Sequence, residues 1–190
     1  MDKKVFELVI DDEDDSGVSM IAIVDEPAIM RQYQTFKQSE PLAFKVADED
    51  KRIASGFAMI SDLPIYRYDQ QDGEHYVVFR KPTIEKIVNK FMKQGLNAEI
   101  NLMHESEVND VYVFESLIID KDRGINAPDG FKDAPDGSWF VSMRVDNDEL
   151  WNDIKQGTYR GFSVEGMFAK ADAMPTDEQI IDAAIDAING

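Results

Sequence analysis

The sequence contains no cysteine among its 190 residues. That absence excludes disulfide bonds, thiol nucleophiles and cysteine-ligated zinc sites. Basic residues are also scarce, since 20 Lys and Arg stand against 38 Asp and Glu, which gives a formal net charge of −18 and a pI near 4.3. Because phosphates and anionic headgroups attract Lys and Arg, this balance argues against nucleic acid and against anionic membranes as partners.

Long apolar runs are missing as well. No stretch approaches the roughly 18 apolar residues of a membrane span, and residues 1–7 lack the apolar segment of a signal peptide. We therefore expect a soluble, cytoplasmic protein. Apolar residues still make up 43% of the chain, including 11 Phe, which is enough for a core and too many for an intrinsically disordered chain.

Short apolar and alternating segments bounded by turn residues predict a mostly β body with two or three helices. The predicted strands are 5–10, 18–24, 51–60, 65–68, 75–79, 98–103, 111–120, 138–145 and 159–168. The polar stretch 31–50 lacks a clear period, and we expect it to be a connection.

The clearest helix is predicted over 82–95, where Thr83 can cap the start and Gly95 can end it. Its apolar face consists of Ile84, Ile87, Val88 and Phe91. A shorter helix through Ile154 follows the capping-box spacing of Asp146–Glu149.

The composition shifts after Phe168. We therefore expect one domain over 1–168, followed by a linker and a terminal amphipathic helix over 169–190. Such a helix either docks on its own domain or binds a partner helix.

Histidine is the side chain whose ordinary pKa lies nearest neutrality, and the chain has two, His75 and His104. His75 begins an alternating strand beside a turn, where we expect an exposed side chain. His104 ends the apolar segment 100–103, where a strand meets a polar loop and can present a side chain to a cleft.

The segment Gly161–Gly166 can supply a partner for His104. Strand alternation puts Ser163 and Glu165 on one face, opposite Phe162 and Val164. A serine needs a base to become a nucleophile. The segment does not fit the Gly-x-Ser-x-Gly nucleophile elbow, which argues against a hydrolase of that kind. On these residues alone, an ordinary serine and an ordinary histidine on a solvated surface remain open alternatives.

Two isolated histidines and unpatterned carboxylates form no metal-ligand constellation, and no Gly-rich phosphate loop is present. We therefore expect neither a metal nor a nucleotide cofactor.

Eight short pieces of the sequence carry a resemblance when they are taken as a set. They are Ile23–Ile29, Pro64–Arg67, Tyr76–Phe79, Thr83–Ile87, Asn101–His104, Val113–Ser116, Trp139–Met143 and Gly161–Gly166. In this order, over residues 5–168, they resemble the phage XkdF-like serine proteases. That family is related to prohead maturation proteases and, more distantly, to herpesvirus assemblins.

The resemblance implies an α+β fold with a mostly antiparallel, β-barrel-like body and two or three flanking helices. It also implies that Ser163 is a nucleophile and His104 its general base. A third group should orient the imidazole. Glu115 and Glu165 are the two carboxylate candidates, while a Ser-His-His set as in assemblins would require His75.

The implied function is a head-maturation serine endopeptidase that cleaves scaffold and capsid precursors inside the immature phage head, in the host cytoplasm. Its partners would be capsid and scaffold proteins, and the assemblin relationship implies a homodimer. The net charge of −18 would attract basic scaffold or capsid segments.

Two alternatives remain. One is a catalytically inactive virion protein that keeps the protease fold and binds capsid or scaffold. The other is the amino-terminal part of a longer protease-scaffold fusion, in which 169–190 begin a helical scaffold segment.

Overall fold

The structure is a computed structural model that describes residues 3–27, 43–132 and 134–173. Its strands are β1 Lys4–Val9, β2 Gly17–Val24, β3 Lys45–Asp48, β4 Ile53–Met59, β5 Ile65–Asp69, β6 Gly73–Val78, β7 Ile100–Leu102, β8 Ser106–Glu107, β9 Val111–Ile118, β10 Trp139–Val145, β11 Gly161–Met167 and β12 Ala169–Asp172. The α-helices are α1 Lys81–Lys93 and α2 Asp148–Gln156, and a 3-10 turn spans Leu96–Ala98.

Two predictions concern the segments 31–50 and 169–190, which we expected to be a connection and a linker with a terminal helix. Strand β3 lies within the stretch 31–50 that we expected to be a connection, because Phe44 and the strand pack beside β4 in spite of their weak sequence pattern. The predicted terminal helix lies outside the described residues. The four residues after Phe168 form β12, which pairs antiparallel with β1.

The strands form three four-stranded sheets. Their orders are β12-β1-β6-β5, β3-β4-β10-β9 and β11-β2-β7-β8. Most neighbours are antiparallel, but β1 pairs with β6 and β2 pairs with β7 in parallel. The fold is therefore α+β and mostly β, as predicted, but none of the three described sheets closes on itself, so the barrel-like closure is not confirmed.

One hydrophobic core joins the sheets to α1. Its largest fully buried side chains include Trp139, Phe57, Phe91 and Phe162. The predicted helix face is confirmed, because Ile84, Ile87, Val88 and Phe91 are all buried. Phe91 meets the ring of Trp139 edge-on at 5.3 Å, which ties the helix to the centre of the β10 sheet.

The start of α1 differs from the prediction. The N-cap is Arg80, which makes no side-chain capping hydrogen bond, and Thr83 is buried in the first turn. Thr83 cannot cap because the helix begins earlier, at Lys81, and Pro82 is tolerated in its first turn. The predicted end is confirmed, since Gly95 adopts the left-handed conformation at φ 72°. In α2, the Asn147 side chain accepts a hydrogen bond from the Leu150 N–H at 3.0 Å.

No helix in the described part of the chain is both long enough and apolar enough to cross a membrane.

Strand β12 is attached to the β5–β6 turn by an ion pair as well as by its pairing with β1. The Lys170 ammonium donates to Asp69 and, at 2.9 Å, to Asp72 Oδ2. The pKa of Asp69 is lowered from 3.8 to about 2. The largest cause is the hydrogen bond from Lys170, and the second largest is the hydrogen bond from the Asp72 backbone N–H. The folded state therefore favours the ionised form of Asp69.

This shift predicts a pH dependence of stability. Because the pKa of Asp69 is lower in the folded chain than in the unfolded chain, its contribution is present above pH ~4 and is lost as the pH falls towards ~2. Asp69→Asn should lower the free energy of unfolding at pH 6, and its difference from the wild type should shrink between pH 5 and 3. Urea unfolding across this range tests the expectation, with the exposed Asp50→Asn as the control. A difference that stays constant with pH would contradict it.

Candidate active site

The third sheet sets three side chains in one row. Ser163 on β11 lies in register with Ala22 on β2, and Ala22 lies in register with Asn101 on β7. Residues in register on neighbouring strands project to the same face of a sheet. Alternate residues of the same strands, such as Phe162 and Ile21, are buried on the opposite face. The core thus holds one face of this sheet and leaves the other for polar side chains.

His104 lies in the turn between β7 and β8. Met103 and His104 both have positive φ, at 55° and 62°, and the Glu105 N–H donates to the Leu102 carbonyl at 2.9 Å. Two successive left-handed residues are the signature of a type I′ turn, which usually contains Asn or Gly. A bulky residue in this conformation costs roughly 1–2 kcal/mol, so the surrounding contacts must hold His104 in place.

The imidazole connects Ser163 to Glu165. His104 Nε2 lies 3.1 Å from Ser163 Oγ, and His104 Nδ1 lies 3.2 Å from Glu165 Oε2. When Nδ1 carries the proton, the Nδ1–H group donates a hydrogen bond to Glu165, and Nε2 is left to accept one from the serine hydroxyl. The three side chains thus form a hydroxyl, imidazole and carboxylate line, which is the arrangement of a serine nucleophile with an oriented base.

Asn101 holds two members of this line, and our reading of the sequence missed its role. Its Nδ2 donates to Glu165 Oε2 at 2.9 Å, and its Oδ1 accepts from the His104 backbone N–H at 3.2 Å. The side chain is only 4% exposed, so its hydrogen bonds meet little competition from water. The one signal in the sequence was a polar residue inside the apolar segment 100–103.

Ala22 supplies the space for the imidazole. His104 comes from the β7 side of the sheet and reaches Ser163 on β11, so its ring must cross β2, where Ala22 stands in register with Ser163. Ala22 is fully buried. A larger side chain at this position would project into the space that the ring crosses.

The structure brings together His104, Ser163 and Glu165, but it places Glu115 elsewhere. Glu115 lies on β9 in the sheet of β3, β4 and β10, where its register partner is Ser142. We expected this strand to pair near His104, but β9 pairs with β10. Among the described residues, no hydrogen bond or ion pair joins Glu115 to His104.

His75 is buried, so the expectation of an exposed side chain is wrong. It is 1% exposed, and its ring meets Phe6 edge-on at 5.4 Å. Alternation along β6 turns it inward together with Val77. Its Nδ1 lies 2.9 Å from the Gly73 carbonyl. It belongs to the first sheet, and no hydrogen bond or ion pair joins it to His104 within the described ranges.

Possible metal ligands do not gather at this site. Within residues 3–27, 43–132 and 134–173, no three His, Asp or Glu side chains are grouped so that they could hold a metal ion.

Comparisons with known proteins find a matching family model and a curated relative. A family model described as "Putative phage serine protease XkdF" matches residues 41–172, a range that contains His104, Ser163 and Glu165. The phage-like element PBSX protein XkdF of Bacillus subtilis (strain 168) is 27% identical over 157 residues, which cover 78% of this chain and 52% of that protein. The chain thus spans about half the length of this curated relative. No solved structure matches.

The contacts of Asn101 make it a positioning residue, which predicts a measurable effect. Asn101→Ala removes the acceptor of the His104 backbone N–H, so this amide should exchange with solvent faster. The free energy of unfolding should fall by about 1–3 kcal/mol, because buried polar partners lose their hydrogen bonds. Hydrogen exchange followed by NMR measures the first effect, and urea unfolding measures the second.

Asn97→Ala is the matched control, because Asn97 Nδ2 donates to the Val113 carbonyl at 3.4 Å and does not contact His104. Unchanged exchange of the His104 amide in Asn101→Ala would show that Asn101 does not hold the turn.

Proposed function

The chain belongs to the phage XkdF serine protease family, and we propose that it is an active serine endopeptidase. The observation that carries the proposal is the line from Ser163 Oγ through both imidazole nitrogens of His104 to Glu165 Oε2, with separations of 3.1 and 3.2 Å. Both separations are within or close to hydrogen-bond reach for a base and the group that orients it.

The proposed reaction is acyl transfer. Ser163 Oγ attacks the peptide carbonyl while His104 Nε2 takes the hydroxyl proton, and His104 then returns that proton to the leaving amine. Water repeats the cycle on the acyl-enzyme, with His104 again as the base, and releases the second product.

Glu165 and Asn101 have supporting roles in this mechanism. The Glu165 carboxylate accepts a hydrogen bond from the Nδ1–H group, which keeps Nε2 available as a base and stabilises the imidazolium that forms. Asn101 donates to the same carboxylate oxygen at 2.9 Å and so fixes its orientation. Glu115 has no part in the proposal, since it lies on another sheet.

The exposure of the site suits a macromolecular substrate. The side chains of His104 and Glu165 are 38% and 45% exposed, and Ser163 is half-buried. An extended peptide can therefore approach the hydroxyl without an opening motion of the described residues.

We further propose that the substrates are scaffold and capsid precursors, which the protease cleaves inside the immature head in the host cytoplasm. The Bacillus subtilis relative is a protein of a phage-like element. The net charge of −18 favours basic precursor segments over nucleic acid or an anionic membrane as partners. A homodimer is part of the same proposal.

The alternative, an inactive virion protein with a protease fold, is less favoured. A chain that only binds capsid or scaffold has no need for a hydroxyl, an imidazole and a carboxylate in hydrogen-bonding line. The strained backbone of His104 at φ 62° also argues for retained chemistry, since such strain concentrates at functional sites.

The pair of Ser163 and His104 predicts the outcome of a cleavage assay. Purified wild-type protein should cut its cognate scaffold or capsid precursor, and Ser163→Ala and His104→Ala should each slow cutting by at least about 10³-fold. Product bands and intact mass provide the measurement. Ser106→Ala, on exposed β8, should cut at the wild-type rate. If both active-site variants cut as fast as the wild type, the assignment is wrong.

The orienting carboxylate is tested by a pair of isosteric variants. Glu165→Gln should lower kcat by about 10²-fold or more with little change in KM, because the amide no longer stabilises the imidazolium. Glu115→Gln should leave both constants unchanged. Steady-state kinetics on one precursor-derived peptide measures them. If kcat falls in Glu115→Gln but not in Glu165→Gln, then Glu115 is the orienting carboxylate and Glu165 is not.

A further inference from the structure

A cavity of about 320 Å³ lies beside Ser163. This volume is at the lower end of the range of ~300–1,000 Å³ that is typical of ligand pockets. Its wall is mainly apolar and includes Met59, Ile60, Ile65, Phe79, Phe162 and Phe168. Such a wall binds a large apolar side chain by removing it from water.

The cavity follows the free edge of β11. Among the described strands, β11 pairs only with β2. Phe162 and Val164 project to one face of β11, and Ser163 and Glu165 project to the other, yet all four border the cavity. The cavity therefore extends along β11, and residues of β4 and β5 such as Met59 and Ile65 also line it. An extended peptide can add to such an edge through main-chain hydrogen bonds.

Arg67 brings a positive charge to this cavity. It lies on β5, an edge strand of the first sheet, two residues after the buried Ile65, so both side chains project to the same face. Both also line the cavity. Arg67 as a whole is exposed, but partial burial of its guanidinium lowers its pKa, so its charge borders the cavity and is partly shielded from water, whereas Ile65 is buried.

Arg67 has no carboxylate partner among the described residues. Its Nη1 donates a hydrogen bond to the Tyr66 carbonyl at 3.0 Å. By contrast, Arg52 pairs with Asp148 and Arg144 pairs with Asp146, as is expected in a chain with 38 acidic residues. The planar guanidinium of Arg67 therefore keeps donors available that match a carboxylate.

We propose that this cavity is a substrate subsite that selects an extended peptide segment with one large apolar side chain and a nearby carboxylate. The apolar side chain enters the cavity, and Arg67 binds the carboxylate at its border. This inference rests on the proposed function and adds the class of peptide that the protease cuts. It makes Arg67 a specificity-determining residue with no part in the acyl-transfer steps.

A synthetic pool of random nine-residue peptides tests the proposal in two arms. In the first arm, the full wild-type chain digests the pool, and mass spectrometry reads the residues around each cut. In the second arm, immobilised Ser163→Ala protein retains peptides from the same pool, which are eluted and sequenced. Each arm is repeated with Arg67→Glu. Lys132→Glu is the matched control, since it makes the same charge change at an exposed residue whose ion pair is with Asp129.

We expect cut and retained peptides to be enriched about tenfold in segments that carry Asp or Glu close to a large apolar residue. Arg67→Glu should abolish this enrichment and favour Lys or Arg instead, while Lys132→Glu should preserve it. Cleavage without an acidic preference, or an acidic preference that survives Arg67→Glu, would overturn the subsite and leave the proposed function standing.

The binding arm separates the two proposals if no peptide is cut. Retention of acidic and apolar peptides that depends on Arg67 would then support the subsite and count against the endopeptidase. Retention that is unselective, or equal in Arg67→Glu, would overturn the subsite as well.

Discussion

The register of β2 against its two neighbours is the constraint on which the site depends. A slip of one residue would turn Ser163 or Asn101 to the opposite face of the sheet. Buried neighbours prevent that slip, since Ile21 and Ile23 are fully buried and Phe162 is 1% exposed. Burial of each such side chain contributes about 1.5–3 kcal/mol. The hydrophobic core therefore sets the geometry of the polar face, although it supplies none of its chemistry.

The turn at His104 lowers the stability of the fold, because its two residues have left-handed backbone conformations, but it positions the imidazole. Two hydrogen bonds fix Met103 in this turn. Its backbone N–H donates to the Ile23 carbonyl at 3.1 Å, and its sulfur accepts from the Asp25 N–H at 3.4 Å. Both contacts come from the end of β2. The strand that crosses beneath the imidazole therefore also holds the turn from which the imidazole projects.

Local patterns in the sequence pointed to much of the candidate site but could not complete it. The end of a strand singled out His104, and alternation put Ser163 and Glu165 on one face. The choice between Glu165 and Glu115 depended on which strands are neighbours, and this is a non-local property that no periodicity reports. The role of Asn101 was missed for the same reason, as its partner Glu165 lies far along the chain. The burial of His75 follows local alternation with Val77, and was missed because the neighbouring turn was given more weight. The apolar face of α1, which is a local feature, was predicted residue by residue.

The three strands of the site come from distant parts of the chain, with β2 at Gly17–Val24, β7 at Ile100–Leu102 and β11 at Gly161–Met167. During synthesis the first two emerge long before the third, and domains generally fold as units once their strands are available. The proposed base is therefore made before its nucleophile, and the two meet only when β11 joins the edge of β2. Ser163 and His104 can therefore come together only after nearly all of the described fold has been synthesised.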